Sequence, residues 1–389
     1  MPAAASLKLL TTLDARRART SIQELLAHAG VRIGGSDPWD LRIHDDRTYT
    51  RILRDGTLGF AESYMDGWWD CDQLDALVER VWRARLDEYV KDNWALVAYA
   101  LRARLFNLQG LARAFEVARH YDLGNDLYEA MLDRRMMYTC AYWRGAGEAD
   151  LDAAQEAKLD LICRKLDLRA GMRVLELGCG WGGFASFAAE RYGAHVTGYT
   201  VSKEQIAWAQ ARYPSLADRI DLRLADYRKA TGRYDAVVSI GLMEHVGPQN
   251  YRGYMEVVDR CLAPGGVAFI HCIGGNRPRA QIDPFFHKYI FPNAVLPSLS
   301  GLVTAMDDRF VVEDVHNIGP HYDRTLLAWY ARAEEAWPRL PARYDERFRR
   351  MWRYYLLSCA ALFRIRYLQL FHIVMTREGT PQPRSARES

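Results

Sequence analysis

Between residues 153 and 273, short apolar runs alternate with segments that are long enough to form helices. The run Arg173–Leu177 is predicted to be a buried strand from its length and its polar flanks. Alternating strands and helices are typical of a mostly parallel sheet covered on both faces. Further strands are predicted at residues 194–200, 220–225, 236–240, 267–273, 310–315 and 368–375. Helices are predicted at residues 153–166 and 202–212, and in a stretch that follows Gly183 and ends at Tyr192.

The segments on either side of this pattern differ from it in composition. Near the start of the chain the basic residues Arg16, Arg17 and Arg19 follow a leucine-rich segment. They have two interpretations, a solvated helix face or a surface that contacts anionic lipid. Residues 58–70 are dense in aromatics and broken by glycines, as either a packing motif or part of a channel would be. The predicted division is a small N-terminal helical domain at residues 1–115, an α/β domain at 116–378 and a disordered tail at 379–389.

Bulk composition excludes some partners. The 389 residues carry 52 basic and 49 acidic side chains, and this net charge of +3 is too small to indicate nucleic-acid binding. Seven cysteines form no C-x-x-C pair, which predicts reduced thiols and a cytoplasmic protein. The longest apolar stretch near the C-terminus, residues 354–363, is far shorter than the roughly 20 residues of a membrane-spanning helix. A lipid substrate would therefore be reached from the water side.

A glycine-rich turn follows the first predicted strand at residues 178–183. Its Gly-x-Gly-x-Gly-Gly spacing differs from the G-x-G-x-x-G of a dinucleotide site. Glu176 lies two residues before the turn, where a carboxylate attracts the cationic end of S-adenosylmethionine. Asp226, at the end of the third strand, is positioned to accept from an adenine amino group. These features resemble the class I methyltransferases, whereas the alternative is a structural turn without a nucleotide.

The second strand departs from the usual methyltransferase pattern. It ends without the acidic residue that would bind the ribose hydroxyls, because residues 196–200 read VTGYT. The ribose must be held in another way. The following residues 201–205 offer a hydroxyl and an amide for that contact.

Several motifs are distributed along the chain, at residues 120–128, 138–143, 177–183, 243–247, 271–274, 289–292 and 321–326. Together they resemble one family, the cyclopropane-fatty-acyl-phospholipid synthases and the related mycolic acid cyclopropane synthases. The aromatic block at residues 63–69 is similar to the N-terminal domain of the phospholipid-using branch, so the resemblance covers nearly the whole chain.

The resemblance implies a class I S-adenosylmethionine-dependent methyltransferase fold, α/β and Rossmann-like, with a mostly parallel seven-stranded sheet. It implies bound bicarbonate at Cys140, Glu244, His271, Ile273 and Tyr322. Cys359 falls where the cysteine of the family was assigned as catalytic. The implied contacts to S-adenosylmethionine are Tyr138, Thr139, Val174, Leu175, Glu176, Leu177, Gly178, Cys179, Gly180, Trp181, Gly182, Thr200, Val201, Ser202, Lys203, Glu204, Gln205, Asp226 and Tyr227.

The implied reaction transfers the methyl group of S-adenosylmethionine to the cis double bond of an unsaturated phospholipid acyl chain. This leaves a carbocation, so the site must exclude water and can use aromatic faces to stabilise the charge. Bicarbonate, positioned by Glu244 and His271, would remove a proton as the cyclopropane closes. Methyl-branched, methylene or hydroxylated chains are the nearest alternative products. A small-molecule methyltransferase and an inactive lipid-binding protein are more distant alternatives.

Each implied catalytic residue also has a structural interpretation. Glu244 could favour a helix N-terminus, and His271 could be a core histidine with its hydrogen bonds satisfied. Cys140 and Cys359 could be small apolar fillers. For Cys359 this interpretation is favoured, because it lies on a helical stripe of apolar residues with no basic neighbour in sequence. The resemblance further implies a homodimer that is cytoplasmic and peripherally associated with the inner face of the membrane.

Overall fold

The computed structural model describes residues 16–86, 124–143, 150–279 and 281–383. The leucine-rich segment before Arg16, the start of the motif at residues 120–128, and the last six residues of the predicted tail lie outside the described residues. Among the residues described, no helix combines the length and apolar character needed to cross a membrane.

A seven-stranded sheet forms the centre of the α/β part, as predicted. Its strand order is β5-β4-β3-β6-β7-β9-β8. Neighbours from β5 to β7 are parallel, whereas β9 pairs antiparallel with both β7 and β8. A separate two-stranded sheet pairs β1 with β2. The strands are β1 Arg42–Ile43, β2 Trp69–Asp70, β3 Arg173–Leu177, β4 His195–Thr200, β5 Ile220–Leu224, β6 Tyr234–Ile240, β7 Leu262–Gly275, β8 Val311–Asn317 and β9 Leu368–Thr376.

Helices connect these strands and cover the sheet. The first, α1, is helical at residues 16–28. The second, α2, spans Arg47–Met65 and is interrupted at Gly56, which has a non-helical conformation. The others are α3 Leu74–Arg83, α4 Asn125–Met131, α5 Leu151–Lys165, α6 Gly183–Tyr192, α7 Lys203–Arg212, α8 Met243–Val246, α9 Tyr251–Cys261, α10 Pro284–Tyr289, α11 Leu299–Met306, α12 Pro320–Ala336 and α13 Glu346–Arg364.

Alternate residues of the central strands belong to two hydrophobic cores. Leu175 and Leu177 pack in one cluster with residues of α9 and α11. Val174 packs in the other cluster with residues of α5 and α6. Successive side chains of a strand point to opposite faces, so a fully apolar strand requires cover on both sides. This is why Val174, Leu175 and Leu177, which face the two cores, are all apolar.

Contacts divide the chain into two compact units. One comprises Met1–Leu123, Asp283–Pro292 and Trp337–Ile365, and the other comprises Gly124–Ile282, Asn293–Ala336 and Arg366–Ser389. The predicted boundary after residue 115 assigned α10 and α13 to the α/β domain, but both helices pack against α2, and α13 also against α3. A continuous boundary misses this because the chain returns to the N-terminal unit twice. The roles predicted for the two domains stay predictions.

The aromatic block of the N-terminal unit is packed at its centre. Trp69 is buried, donates from its ring nitrogen to Ser63 Oγ at 2.9 Å, and stacks on Phe60 at 4.4 Å between ring centroids. Trp68 lies against the guanidinium groups of Arg47 and Arg51 at 4.4 and 4.8 Å. These contacts support the packing interpretation of residues 58–70.

The first turn of α6 is closely packed, and this gives a prediction of stability. A Cβ at Gly183 would lie 2.4 Å from the backbone oxygen of Arg135 and 2.5 Å from Met137 Sδ. We expect Gly183→Ala to lower the free energy of unfolding by about 1–3 kcal/mol, because the backbone must shift. Chemical denaturation would measure it.

Gly253→Ala provides the matched control in α9, since a Cβ there meets no described atom within 4 Å. That substitution should leave the free energy of unfolding unchanged or raise it by up to ~1 kcal/mol. Equal losses in both variants would contradict the close packing at Gly183.

Candidate active site

The carboxyl end of β3 leads directly into the glycine loop. The backbone N–H groups of Gly178 and Cys179 both donate to the backbone oxygen of Tyr199 at 2.9 Å, which fixes the loop beside β4. Gly178 and Gly182 adopt positive φ angles of 79° and 75°, which side chains rarely tolerate. At Gly180 an added Cβ would meet no described atom within 4 Å. The loop is therefore held tightly on one side and is open on the other.

Glu176 is buried at the end of β3, where the sequence predicted a carboxylate facing a cation. Its Oε2 atom has no hydrogen-bond partner among the described residues. Burial raises the pKa of Glu176 well above its usual value, opposed by the charge of Lys158 and by the N–H of Ala185. An orphaned buried carboxylate fits a cationic ligand, which would supply the missing countercharge.

Sequence reasoning missed Lys158, a fully buried lysine on α5. Its Nζ donates to Thr139 Oγ1 at 2.9 Å. Burial lowers the pKa of Lys158 to about 8, while the charges of Asp133, Cys140 and Glu176 oppose that shift. The signal was present in the sequence. Lys158 occupies an i, i+4 stripe with Ala154 and Ile162, both of which are fully buried.

The segment Tyr138–Thr139–Cys140 lies across the carboxyl end of β6. Gln155 Nε2 donates to the backbone oxygen of Thr139 at 2.9 Å. A Cβ at Gly241, the residue after β6, would lie 2.9 Å from Thr139 Cγ2, which shows how closely the two segments approach. Cys140 is fully buried, and this burial raises the pKa of its thiol.

Three of the residues predicted to hold an anion gather at the end of β7. Glu244, on α8, accepts a hydrogen bond at Oε1 from the Ile273 N–H at 2.6 Å. His271 and Ile273 are two residues apart on one strand and so share a face of the sheet. Glu244 Oε2 and His271 Nε2 are both buried and without a hydrogen-bond partner among the described residues.

Burial sets the protonation states of this group. It raises the pKa of Glu244 to about 7, against the opposing hydrogen bond from Ile273. It lowers the pKa of His271 well below its usual value, assisted by the positive charge of Lys158. At neutral pH His271 is therefore a neutral imidazole, and both the protonated and the ionised form of Glu244 are accessible. A protonated carboxyl can donate a proton and a neutral imidazole can accept one, so both buried groups can take part in proton transfer.

Tyr322 and Tyr138 belong to a continuous row of aromatic rings. Tyr322 packs edge-on against Trp329 with centroids 5.8 Å apart, and Tyr138 contacts the same Trp329 at 5.2 Å. The row continues through Tyr128 to Trp181 of the glycine loop, with spacings of 5.1 and 5.2 Å. It links the predicted cofactor loop to the predicted anion ligand on α12.

Residues after β4 occupy the position where a ribose contact was predicted. Thr200 Oγ1 donates to Gln205 Oε1 at 2.8 Å, and Ser202 caps α7 by accepting from the Gln205 N–H. Val201, Lys203 and Glu204 are exposed. Hydroxyl groups and an amide thus lie beside the carboxyl end of β4, and their contact with a ribose stays a prediction.

Asp226 and Tyr227 lie one strand further along the same edge. The Ala225 N–H donates to the Thr200 oxygen at 3.0 Å, which places this turn beside β4. The carboxylate of Asp226 pairs with the Arg228 guanidinium at 2.7 Å. A contact from Asp226 to an adenine would therefore have to replace or share that ion pair.

Cys359 lies on α13 in the N-terminal unit, whereas the residues described above lie in the other unit. Burial of its thiol raises the pKa of Cys359, which disfavours the thiolate that a nucleophile requires. Neighbouring positions of α13 form an aromatic stripe, with Phe348 and Trp352 stacked at 5.9 Å. The raised pKa of the thiol favours the interpretation of Cys359 as a packing residue.

Comparisons with known proteins show the family of this chain. The profile of the family described as mycolic acid cyclopropane synthetase matches residues 110–373. The chain is 47% identical over 355 residues to the cyclopropane-fatty-acyl-phospholipid synthase of Escherichia coli (strain K12), covering 91% of this chain and 92% of that protein. It is 33% identical to the tuberculostearic acid methyltransferase UfaA1 of Mycobacterium tuberculosis, covering 97% and 93%.

A solved structure supports the same assignment. The mycolic acid cyclopropane synthase CmaA1, complexed with SAH and CTAB, aligns with a TM-score of 0.61 and 32% identity. The alignment covers 67% of this chain and 96% of that one. The chain is thus an S-adenosylmethionine-dependent methyltransferase, and it belongs to the mycolic acid cyclopropane synthetase family.

Proposed function

We propose that this protein is a cyclopropane-fatty-acyl-phospholipid synthase that methylates the cis double bond of an unsaturated phospholipid acyl chain and closes the ring. The observation that carries the proposal is that Glu244 and His271 are both buried in the unit that carries the glycine loop, each with one polar atom that has no hydrogen-bond partner among the described residues. The substrate class is proposed from the 47% identical relative, a cyclopropane-fatty-acyl-phospholipid synthase. Ring closure requires a proton acceptor in a dry site, and these two residues can position one.

S-adenosylmethionine supplies an electrophilic methyl group when it is bound. We propose that the open side of the loop at Gly180 receives it and that Glu176 faces its cationic end. Thr200 and Gln205 would bind the ribose through their hydroxyl and amide. The remaining proposed contacts are Tyr138, Thr139, Val174, Leu175, Leu177, Gly178, Cys179, Trp181, Gly182, Val201, Ser202, Lys203, Glu204, Asp226 and Tyr227.

Bicarbonate, when bound, would supply the oxygen base that takes the proton. The unpartnered atoms of Glu244 and His271 fit such an anion, because a protonated carboxyl can donate to it. Cys140, Ile273 and Tyr322 complete the proposed ligand set. The aromatic row that contains Tyr138 and Tyr322 presents ring faces that stabilise a carbocation without reacting with it.

Product analysis tests the proposed reaction. Vesicles with monounsaturated chains are incubated with the protein and labelled S-adenosylmethionine, and the acyl chains are analysed by mass spectrometry. A cyclopropane gains one CH2 and resists ozone, whereas a methylene chain gains the same mass and is cleaved. A methyl-branched chain, favoured by the similarity to a tuberculostearic acid methyltransferase, gains two further hydrogens. A product other than the cyclopropane would replace the proposed function with that alternative.

Glu176→Gln tests the proposed cofactor contact. The substitution keeps the shape of the side chain and removes its charge, so affinity for S-adenosylmethionine should fall about tenfold, which is ~1.4 kcal/mol. Folded Glu176 has a raised pKa, so at neutral pH and above the wild-type carboxyl costs stability relative to an amide. Calorimetry should therefore show weaker binding without a lower unfolding temperature at pH 8. Unchanged affinity would contradict the role of Glu176.

Glu244→Gln tests the proposed proton-removal site. Ring formation should fall ~100-fold, in line with the loss of a general base or acid. Because the pKa of folded Glu244 is raised to about 7, its stabilising effect is present below the unfolded pKa and is lost as pH rises towards 7. The variant should consequently be at least as stable as the wild type at pH 8.

The matched control is Glu256→Gln, an exposed residue of α9, which should leave both properties unchanged. Activity of Glu244→Gln within a few-fold of the wild type, or joint loss of activity and stability, would contradict the assignment. Bicarbonate added to carbonate-depleted buffer should raise the activity of the wild type, and no response would argue against the bound anion.

We further propose that the protein acts as a homodimer on the inner face of the membrane, with the basic residues of α1 as a first contact. Arg16, Arg17 and Arg19 are exposed, while Ala18 and Ile22 of the same helix are buried. Each basic residue near an anionic membrane surface contributes about 1 kcal/mol to the free energy of binding, and added salt weakens this contribution by screening.

Light scattering, which measures the mass of the protein in solution, would test the proposed dimer.

Charge reversal tests the membrane contact. The double variant Arg16→Glu/Arg17→Glu should sediment less with anionic vesicles than the wild type does, and the difference should shrink as salt is added. Arg169→Glu/Arg212→Glu makes the same change of net charge on exposed residues of the other unit and should retain binding. Equal sedimentation of both double variants would show that α1 is only a solvated helix.

A further inference from the structure

Three histidines lie side by side across three neighbouring strands. In the antiparallel pairing of β7 with β9, His271 is directly opposite His372. In the pairing of β8 with β9, His316 is directly opposite the same His372. Residues opposite one another in an antiparallel pair point to the same face of the sheet. The three side chains therefore form one row, which runs from the proposed active site to the edge strand β8.

The first two histidines are hydrogen-bonded. His271 Nδ1 and His372 Nε2 are 2.9 Å apart, and both rings are fully buried. The ring of His316 packs edge-on against His372 with centroids 6.1 Å apart, and His316 is partly exposed. At the outer ends of the bonded pair, His271 Nε2 and His372 Nδ1 have no partner among the described residues. The pair thus has one internal hydrogen bond and two buried ends.

Basic side chains lie near His372. Burial lowers its pKa well below the usual value, and His271, Lys165, His316 and Lys158 contribute in the same direction. Lys165 is itself ion-paired with Asp314 of β8. The ring of Phe269 packs edge-on at 4.9 Å. A proton on His372 is therefore held only briefly, which suits a group that passes protons on.

We propose that His372 is a positioning residue for the base His271 and the acceptor in a proton relay that leads towards His316. His271 begins with its proton on Nδ1, donating to His372 Nε2, so that its Nε2 lone pair faces the active site. When the proton removed from the transferred methyl group reaches His271 Nε2, the Nδ1 proton passes to His372 Nε2. His372 then releases its own Nδ1 proton towards His316 and water. When the product leaves and water enters the site, His271 Nε2 loses its proton to that water, the proton on His372 Nε2 returns to His271 Nδ1, and His372 Nδ1 is reprotonated by water on the His316 side. These steps restore the starting tautomers; only N–H bonds and O–H bonds of water change, and charge is conserved at each step.

This inference rests on the proposed function, because the methyl proton must first be removed in the active site. The relay predicts a defect in repeated turnover but not in the first one. A base that cannot pass on its proton still completes one reaction, whereas slow proton release limits the following ones. A residue that only supports the fold would slow the first turnover as well.

His372→Gln tests the relay, because an amide can bond to His271 but cannot carry a proton through. Rapid-quench kinetics should show one product per site formed at nearly the wild-type rate, then steady-state turnover reduced by ~10-fold or more with a larger solvent deuterium isotope effect. His316→Gln should show the same pattern. His195→Gln, an exposed position at the start of β4, is the matched control and should behave as wild type.

Two outcomes would overturn the relay. Steady-state turnover of His372→Gln within twofold of the wild type would show that no proton passes through His372, and equal loss of first and later turnovers would leave it a purely structural role. A wild-type reaction without cyclopropane product would instead refute the proposed function. Unchanged turnover of His316→Gln would remove the last step of the route.

Nitrogen NMR of the wild-type protein with labelled histidine gives an independent test that does not depend on turnover or on a variant that must fold. Neutral His271 should carry its proton on Nδ1, with Nε2 unprotonated. If His271 is instead protonated on Nε2 and accepts at Nδ1 from His372, the lone pair that must receive the proton is absent, and the relay is wrong.

Discussion

The burial of ionisable groups at the carboxyl edge of the parallel strands is the constraint on which the rest of the site depends. Glu176, Glu244, His271 and Lys158 all lie there with almost no exposed surface. Removing charge from water is costly unless it is paired or neutralised. One buried cation, Lys158, lies near Glu176, Cys140 and Asp133, and it offsets part of that cost. The rest is relieved by shifts in pKa, which leave Glu244 and His271 partly or wholly neutral.

The same burial makes the proposed chemistry possible. A carbocation on an acyl chain survives only where water is excluded, and exclusion of water is what shifts these pKa values. A buried side chain without a counterion is neutral in such a site, since removal of its charge from water is costly. His271 satisfies this condition, and the positive charge of Lys158 also favours the neutral imidazole. The exclusion of water, the shifted pKa values of Glu244 and His271 and the lifetime of the proposed carbocation therefore all depend on the same burial.

Much of this architecture could be predicted from local patterns in the sequence. The strand Arg173–Leu177 was predicted with its observed bounds, because a short apolar run between polar flanks has few other solutions. The glycine loop was predicted because its spacing is also local. Lys158 was missed, because a lysine within a helix is usually solvated and only its neighbours on the buried stripe indicate otherwise. The return of residues 283–292 and 337–365 to the N-terminal unit was missed because it depends on contacts distant in sequence.

His372 shows why long-range strand order matters for function as well as for fold. In the sequence it is an ordinary histidine in an apolar run, 101 residues from His271. It becomes the neighbour of His271 because β9 inserts antiparallel between β7 and β8. A parallel arrangement of these strands in the chain order β7, β8, β9 would separate the two rings by a whole strand. The antiparallel insertion thus makes His271 the inner end of a row of histidines that reaches the sheet edge, which is the arrangement that the proposed relay requires.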